Sequence, residues 1–163
     1  MMRPVTEQVR MEDAPARPLA AISTKASADR LGPVIIGTLD KIWPLLREHR
    51  VRTGHNVVIY RGSNEGLLII DVGVEVFGDV PVAGEVRPTA TPSGEVATIA
   101  HFGEYSEMDP AYAALERWCA DNERHKTGVS WEVYGDWEDD PAKRRTDIYF
   151  GLQAKPPSSG TTA

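Results

Sequence analysis

The chain has 163 residues, 41% hydrophobic and 26% charged, with a formal net charge of −6. That length suits one domain able to bury a core without covalent staples, and a single cysteine, Cys119, excludes an intramolecular disulfide. Net acidity with scattered bases argues against nonspecific nucleic-acid binding, which needs clustered Lys and Arg, and no run of about 18 apolar residues offers a membrane span. Together with the lack of an apolar leader, these features lead us to expect a cytoplasmic protein.

Residues 1–16 hold Pro4, Pro15 and mixed charges without periodicity, and read as a flexible lead-in. Leu19 to Ile22 reads as a strand. Ile35, Leu39, Ile42 and Leu46 follow at helical spacing, with Gly32-Pro33 suited to the start and Pro44 expected to kink or break the helix. Asn56 to Tyr60 and Leu68 to Phe77 read as strands, the second alternating Ile70, Val72, Val74 and Val76 with polar or small residues. Residues 78–93, with Pro81, Pro88 and Pro92, read as an extended linker.

The same order then returns. Val96 to Ala100 is a strand. Met108 to Glu123 is a helix with Asp109 as N-cap and Pro110 at N1, its apolar stripe formed by Ala111, Leu115, Trp118 and Cys119. Ser130 to Tyr134 and Asp147 to Gln153 are strands, and residues 154–163 read as a disordered tail. The halves, 17–77 and 94–153, align Trp43 with Trp118, Tyr60 with Tyr134, Val58 with Glu132, and Ile70–Glu75 with Ile148–Gln153. The expected fold class is α+β: two strand-helix-strand-strand repeats about a pseudo-twofold axis, forming an antiparallel sheet with two helices flanking a central cleft.

Residues 94–105 (GEVATIAHFGEY), then Ala111, Tyr112, Leu115 and Trp118, then Trp131-Glu132-Val133-Tyr134 and the closing strand from Asp147 to Leu152, resemble the GyrI-like small-molecule-binding domain, also the effector-binding domain of AraC-type and MerR-type regulators. The resemblance covers roughly residues 17–153. It implies a ligand pocket between the helices and the sheet, with Glu132 at its floor and aromatic, lipophilic or cationic ligands. Some members of the family resemble hydrolases of strained cyclopropane-bearing natural products. The short segment before residue 17 leaves no room for a helix-turn-helix, so a stand-alone domain without direct DNA binding is expected, as a monomer or homodimer.

Glu132 lies in an apolar, aromatic strand, where a carboxylate is costly unless paired or protonated; a solvent-facing glutamate on an alternating strand is the plainer alternative. Tyr134 shares its face. Tyr112, Trp43, Tyr105 and Tyr60 are the further ligand-binding candidates, each weighed against a role in core packing, and His101 fits strand-end packing. If the protein is an enzyme, Glu132 is the general base and a tyrosine hydroxyl, from Tyr134 or Tyr112, the hydrogen-bond donor. The four histidines and Cys119 show no metal spacing, and nothing calls for a cofactor. The acidic run from Trp137 to Asp140 reads as a solvated hairpin tip, and a protein-partner role in which acidity mimics nucleic acid ranks last.

Overall fold

The computed structural model describes residues 5, 6 and 8–155. Its elements in chain order are β1 (Val5–Thr6), β2 (Arg10–Ala14), β3 (Pro18–Ala26), α1 (Leu31–Glu48), β4 (Thr53–Asn64), β5 (Leu67–Val76), β6 (Arg87–Ala90), β7 (Gly94–Phe102), α2 (Asp109–Asp121), β8 (Lys126–Tyr134) and β9 (Arg145–Leu152). The described strands form one antiparallel sheet in the order β1-β7-β9-β8-β4-β5-β3-β6, with β2 also paired to β7. Each repeat contributes three adjacent strands, and β4 and β8 join the halves at the centre.

Strand alternation sorts the side chains onto two faces. On one, Ala20, Ile22, Val74 and Val76 pack against Ile42 and Leu46 of α1, and Ala97, Ile99, Ile148 and Phe150 pack against Ala111, Leu115 and Cys119 of α2. Both helices therefore cover the same face, over its outer strands, and leave β4 and β8 between them. Leu19, Val57, Ile59, Trp131 and Val133 form a second core on the other face, where Trp131 and Tyr149 stack with centroids 5.3 Å apart.

The register centres the pseudo-twofold on one residue pair. Val58 lies opposite Glu132, flanked by Asn56 opposite Tyr134 and Tyr60 opposite Ser130, so a shift of 74 positions carries each flanking pair onto the other. In the outer strands Val58 faces Val72 and Glu132 faces Ile148. The structural mate of Val72 is thus Ile148, and the expected match of Ile70 with Ile148 is displaced by two residues. A two-residue slip keeps every side chain on its face, which is why alternation alone cannot detect it.

Other expectations are corrected by tertiary contacts. Arg10–Ala14, read as lead-in, is a strand because the outer edge of β7 offers free backbone groups to pair with. Part of the 78–93 linker is β6, which pairs with β3 and holds Pro88, a residue tolerated on an edge strand. Helix α1 runs unbroken through Pro44, with Ile42 and Leu46 buried on either side. Helix α2 begins at Asp109 itself, with Met108 at the N-cap and no side-chain cap. Of the tail, residues 156–163 lie outside the described residues.

Candidate functional site

One row of side chains crosses six strands on the helix-covered face: Ile99, Ile148, Glu132, Val58, Val72 and Ile22. All are buried, and Glu132 is only 3% exposed. A carboxylate set among aliphatic neighbours must find hydrogen-bond donors, and here tyrosines supply them. Tyr60 donates to Oε1 at 3.2 Å, Tyr134 donates to the same oxygen, and Tyr112 donates to Oε2. No basic side chain pairs with Glu132 among the described residues.

Each tyrosine reaches the carboxylate for a reason set by its element. Tyr60 and Tyr134 stand two residues beyond Val58 and Glu132, on the same face. Tyr112 lies three residues before buried Leu115, and the packing of Leu115 on the sheet turns this face of α2 inward. Tyr112 also leans on Phe150, with centroids 5.9 Å apart. Burial, reinforced by the negative Glu132, raises the pKa of Tyr60, Tyr112 and Tyr134 far above the ordinary phenol value of 10.0. Burial and then Asp147 raise that of Tyr149.

This shift has a sign that can be checked. A folded pKa above the unfolded value means that stability is intact below pH about 10 and is lost as pH climbs from there toward the folded values. We expect the 295 nm phenolate absorbance of these tyrosines to appear only together with loss of near-ultraviolet circular dichroism. A smooth titration of all five tyrosines near pH 10 with the fold retained would refute the burial of the cluster.

A cavity of about 320 Å³ opens beside the cluster, lined by Ile35, Ile36, Leu39, Asn56, Tyr105, Tyr134 and Trp137, with Gly32 and Gly135. Tyr134 is the wall shared by cavity and carboxylate. A second cavity, of about 240 Å³, lies beyond Tyr112, bordered by Phe150, Ser130 and the Lys126–Glu116 ion pair. The rim of the first is cross-tied. Gly103, at φ 143°, lets the chain turn after β7 and donates its N–H to Arg144 O at 2.9 Å. Fully buried His101 donates from Nε2 to Glu104 O at 3.0 Å. This turn sets Tyr105 edge-on against Tyr134, with centroids 5.7 Å apart.

Among the residues singled out from sequence, Glu132, Tyr134, Tyr112 and Tyr60 converge, and Tyr105 joins Tyr134 at the cavity. Trp43 stands apart: its Nε1–H donates to Asn56 Oδ1 at 2.9 Å, behind the cavity wall. Sequence reasoning missed Asn56, Leu39, Ile36 and Trp137. Trp137 carries the clearest retrospective signal, an aromatic residue at the edge of an otherwise polar hairpin.

Residues 7–153 match the sequence model of the GyrI-like small molecule binding domain. No curated protein matches the chain. Among solved structures, the EcmrR C-terminal domain is 20% identical with a TM-score of 0.70, over 90% of this chain and 97% of that one. In the EcmrR–DNA complex the figures are 18% and 0.72, and the match spans 57% of the EcmrR chain. SAV2435 bound to tetraphenylphosphonium is 10% identical, TM-score 0.62, over 90% and 94% of the two chains. A hydrolase from Listeria innocua is 10% identical, TM-score 0.60, over 90% and 92%. At these identities the likeness is one of fold.

Proposed function

The chain belongs to the GyrI-like small-molecule-binding domain family, and from that premise we propose that it binds aromatic, lipophilic cations in the cleft between its helices, with Glu132 as the charge that holds them. The observation that supports this reading is a buried carboxylate ringed by phenols and lacking a cationic partner among the described residues. Such a group costs stability, and a ligand cation is the counter-charge it lacks. When Tyr134 turns its hydroxyl from Oε1, the carboxylate faces the cavity and the phenol rings offer their faces to the cation. Tetraphenylphosphonium, the ligand in the SAV2435 structure, is a probe of this class.

A second reading, hydrolysis of a strained cyclopropane-bearing electrophile, draws on the same phenols. Three O–H donors beside one carboxylate could polarise a substrate carbonyl while Glu132 takes the proton of an attacking water. Glu132 already accepts three hydrogen bonds, so a tyrosine must move in either reading, and hydrolysis additionally requires a water placed between the carboxylate and the electrophile.

Two ions of one shape test the proposal. Tetraphenylphosphonium should bind at least tenfold more tightly than tetraphenylborate, a difference of about 1.4 kcal/mol or more, by isothermal titration calorimetry. Equal affinities would refute the charge role of Glu132. Incubation with a spirocyclopropane alkylator, followed by mass spectrometry, decides the second reading: a product heavier by one water establishes hydrolysis, and unchanged compound rejects it for that substrate.

A further inference from the structure

Large apolar side chains left exposed mark surfaces with work to do when they cluster. Among the described residues these are Met11, Ile36, Leu67, Phe77, Val82, Tyr105 and Trp137. Ile36 at 63%, Tyr105 at 37% and Trp137 at 64% exposure line the same cavity, so its mouth gathers apolar surface that folding alone does not require.

Trp137 is exposed yet fixed. The Arg144 guanidinium carbon sits 3.9 Å from the centroid of its ring, and its Nε1–H donates to Asp139 Oδ1 at 3.3 Å. Arg144 is itself anchored, donating from Nε to Glu138 O at 2.9 Å and pairing through Nη1 with Glu104 Oε2 at 3.4 Å; its side chain is largely buried. One ring face is therefore covered by a held cation, while the residue borders the cavity. A ring that already carries a guanidinium on one face offers less to a second cation on the other: its electron density is drawn toward Arg144, and the two charges would repel across the ring. Its free surface suits a neutral, flat aromatic group, which gains from stacking without that penalty.

We propose that Trp137 on Arg144 is an aromatic subsite, and that the cleft takes two-part ligands: a cationic centre directed to Glu132 and a neutral planar aryl group stacked on Trp137 at the mouth. The inference rests on the assignment of Glu132 as the cation-holding group and adds the second half of the ligand. Tyr105 and Ile36 provide the flanking contacts.

Two probes separate the halves: hexyltrimethylammonium, and the same cation with a naphthyl ring at the far end of the tether. By calorimetry, Trp137→Ala should weaken the naphthyl probe about tenfold and leave the hexyl probe unchanged, while Trp137→Phe restores most of the loss. The exposed position of Trp137 leaves the core intact, and the Phe variant supplies the folded comparison if the Ala variant melts early. An equal loss for both probes, or no loss for either, overturns the subsite. Glu132→Gln should weaken both probes; if it weakens neither, the cation-holding role fails, while the Trp137 ratio still reads the subsite.

Discussion

Replacing Glu132 with Gln should lower affinity for an aromatic cation by about 10- to 100-fold, the range implied by roughly 1.5–3 kcal/mol for an interaction with a charged group. The substitution keeps shape and volume, so the row from Ile99 to Ile22 remains packed. The phenols also keep partners. An amide oxygen still accepts from two hydroxyls, and an amide N–H can donate to the third, because a phenol both gives and takes hydrogen bonds. Stability should therefore change little, as thermal melting beside the calorimetric titration will test. An affinity for tetraphenylphosphonium within twofold of wild type would remove Glu132 from the ligand site. A large fall in melting temperature together with lost binding would instead mark the carboxylate as structural. Glu132→Ala separates the two further, since it strands three buried hydroxyls without an acceptor and should destabilise by about 1–3 kcal/mol for each group left unsatisfied.

Leu115→Ala should cost about 3 kcal/mol, within the 2–5 kcal/mol that truncation of a fully buried leucine exacts through lost transfer energy and the cavity left behind. Leu115 has no exposed surface and joins Ala97, Ile99, Ile148 and Phe150 to α2. For a chain of this size the melting temperature should fall by roughly 6–12 °C. The effect should reach the site as well, because Tyr112 sits one helical turn away and α2 is what brings its hydroxyl to Oε2. Trp118, only partly buried against the same cluster, should cost less when truncated. Chemical denaturation gives the numbers. A Leu115 loss below about 1 kcal/mol would mean that α2 is not fixed by this contact, and the placement of Tyr112 would need another explanation.

Much of this was legible in the residues. The order strand, helix, strand, strand appears twice because apolar spacing switches between periods of 3.6 and 2 at the same places in both halves. Glu132 stands out because its repeat mate is Val58, and a carboxylate at a position that accepts an aliphatic side chain signals a site. Tyr134 follows from Glu132 by alternation alone. These are local facts, and local sequence encodes them.

What the tertiary structure decided was everything that depends on which segments meet. Alternation repeats every two residues, so the sequence could not choose between Ile70 and Val72 as the mate of Ile148; the hydrogen-bonded register could. Arg10–Ala14 carries no strand pattern, and becomes a strand because the edge of β7 needs a partner. Tyr112 is an ordinary residue of an amphipathic helix until α2 docks and aims it at a carboxylate twenty positions away. Trp137 reads as part of a solvated tip until Arg144, closing the same hairpin, holds its ring at the mouth of the cleft. Side-chain periodicity tells each segment which face to bury and sets Tyr134 beside Glu132 on β8, but only packing brings Tyr60, Tyr105, Tyr112 and Trp137, drawn from other segments, around them.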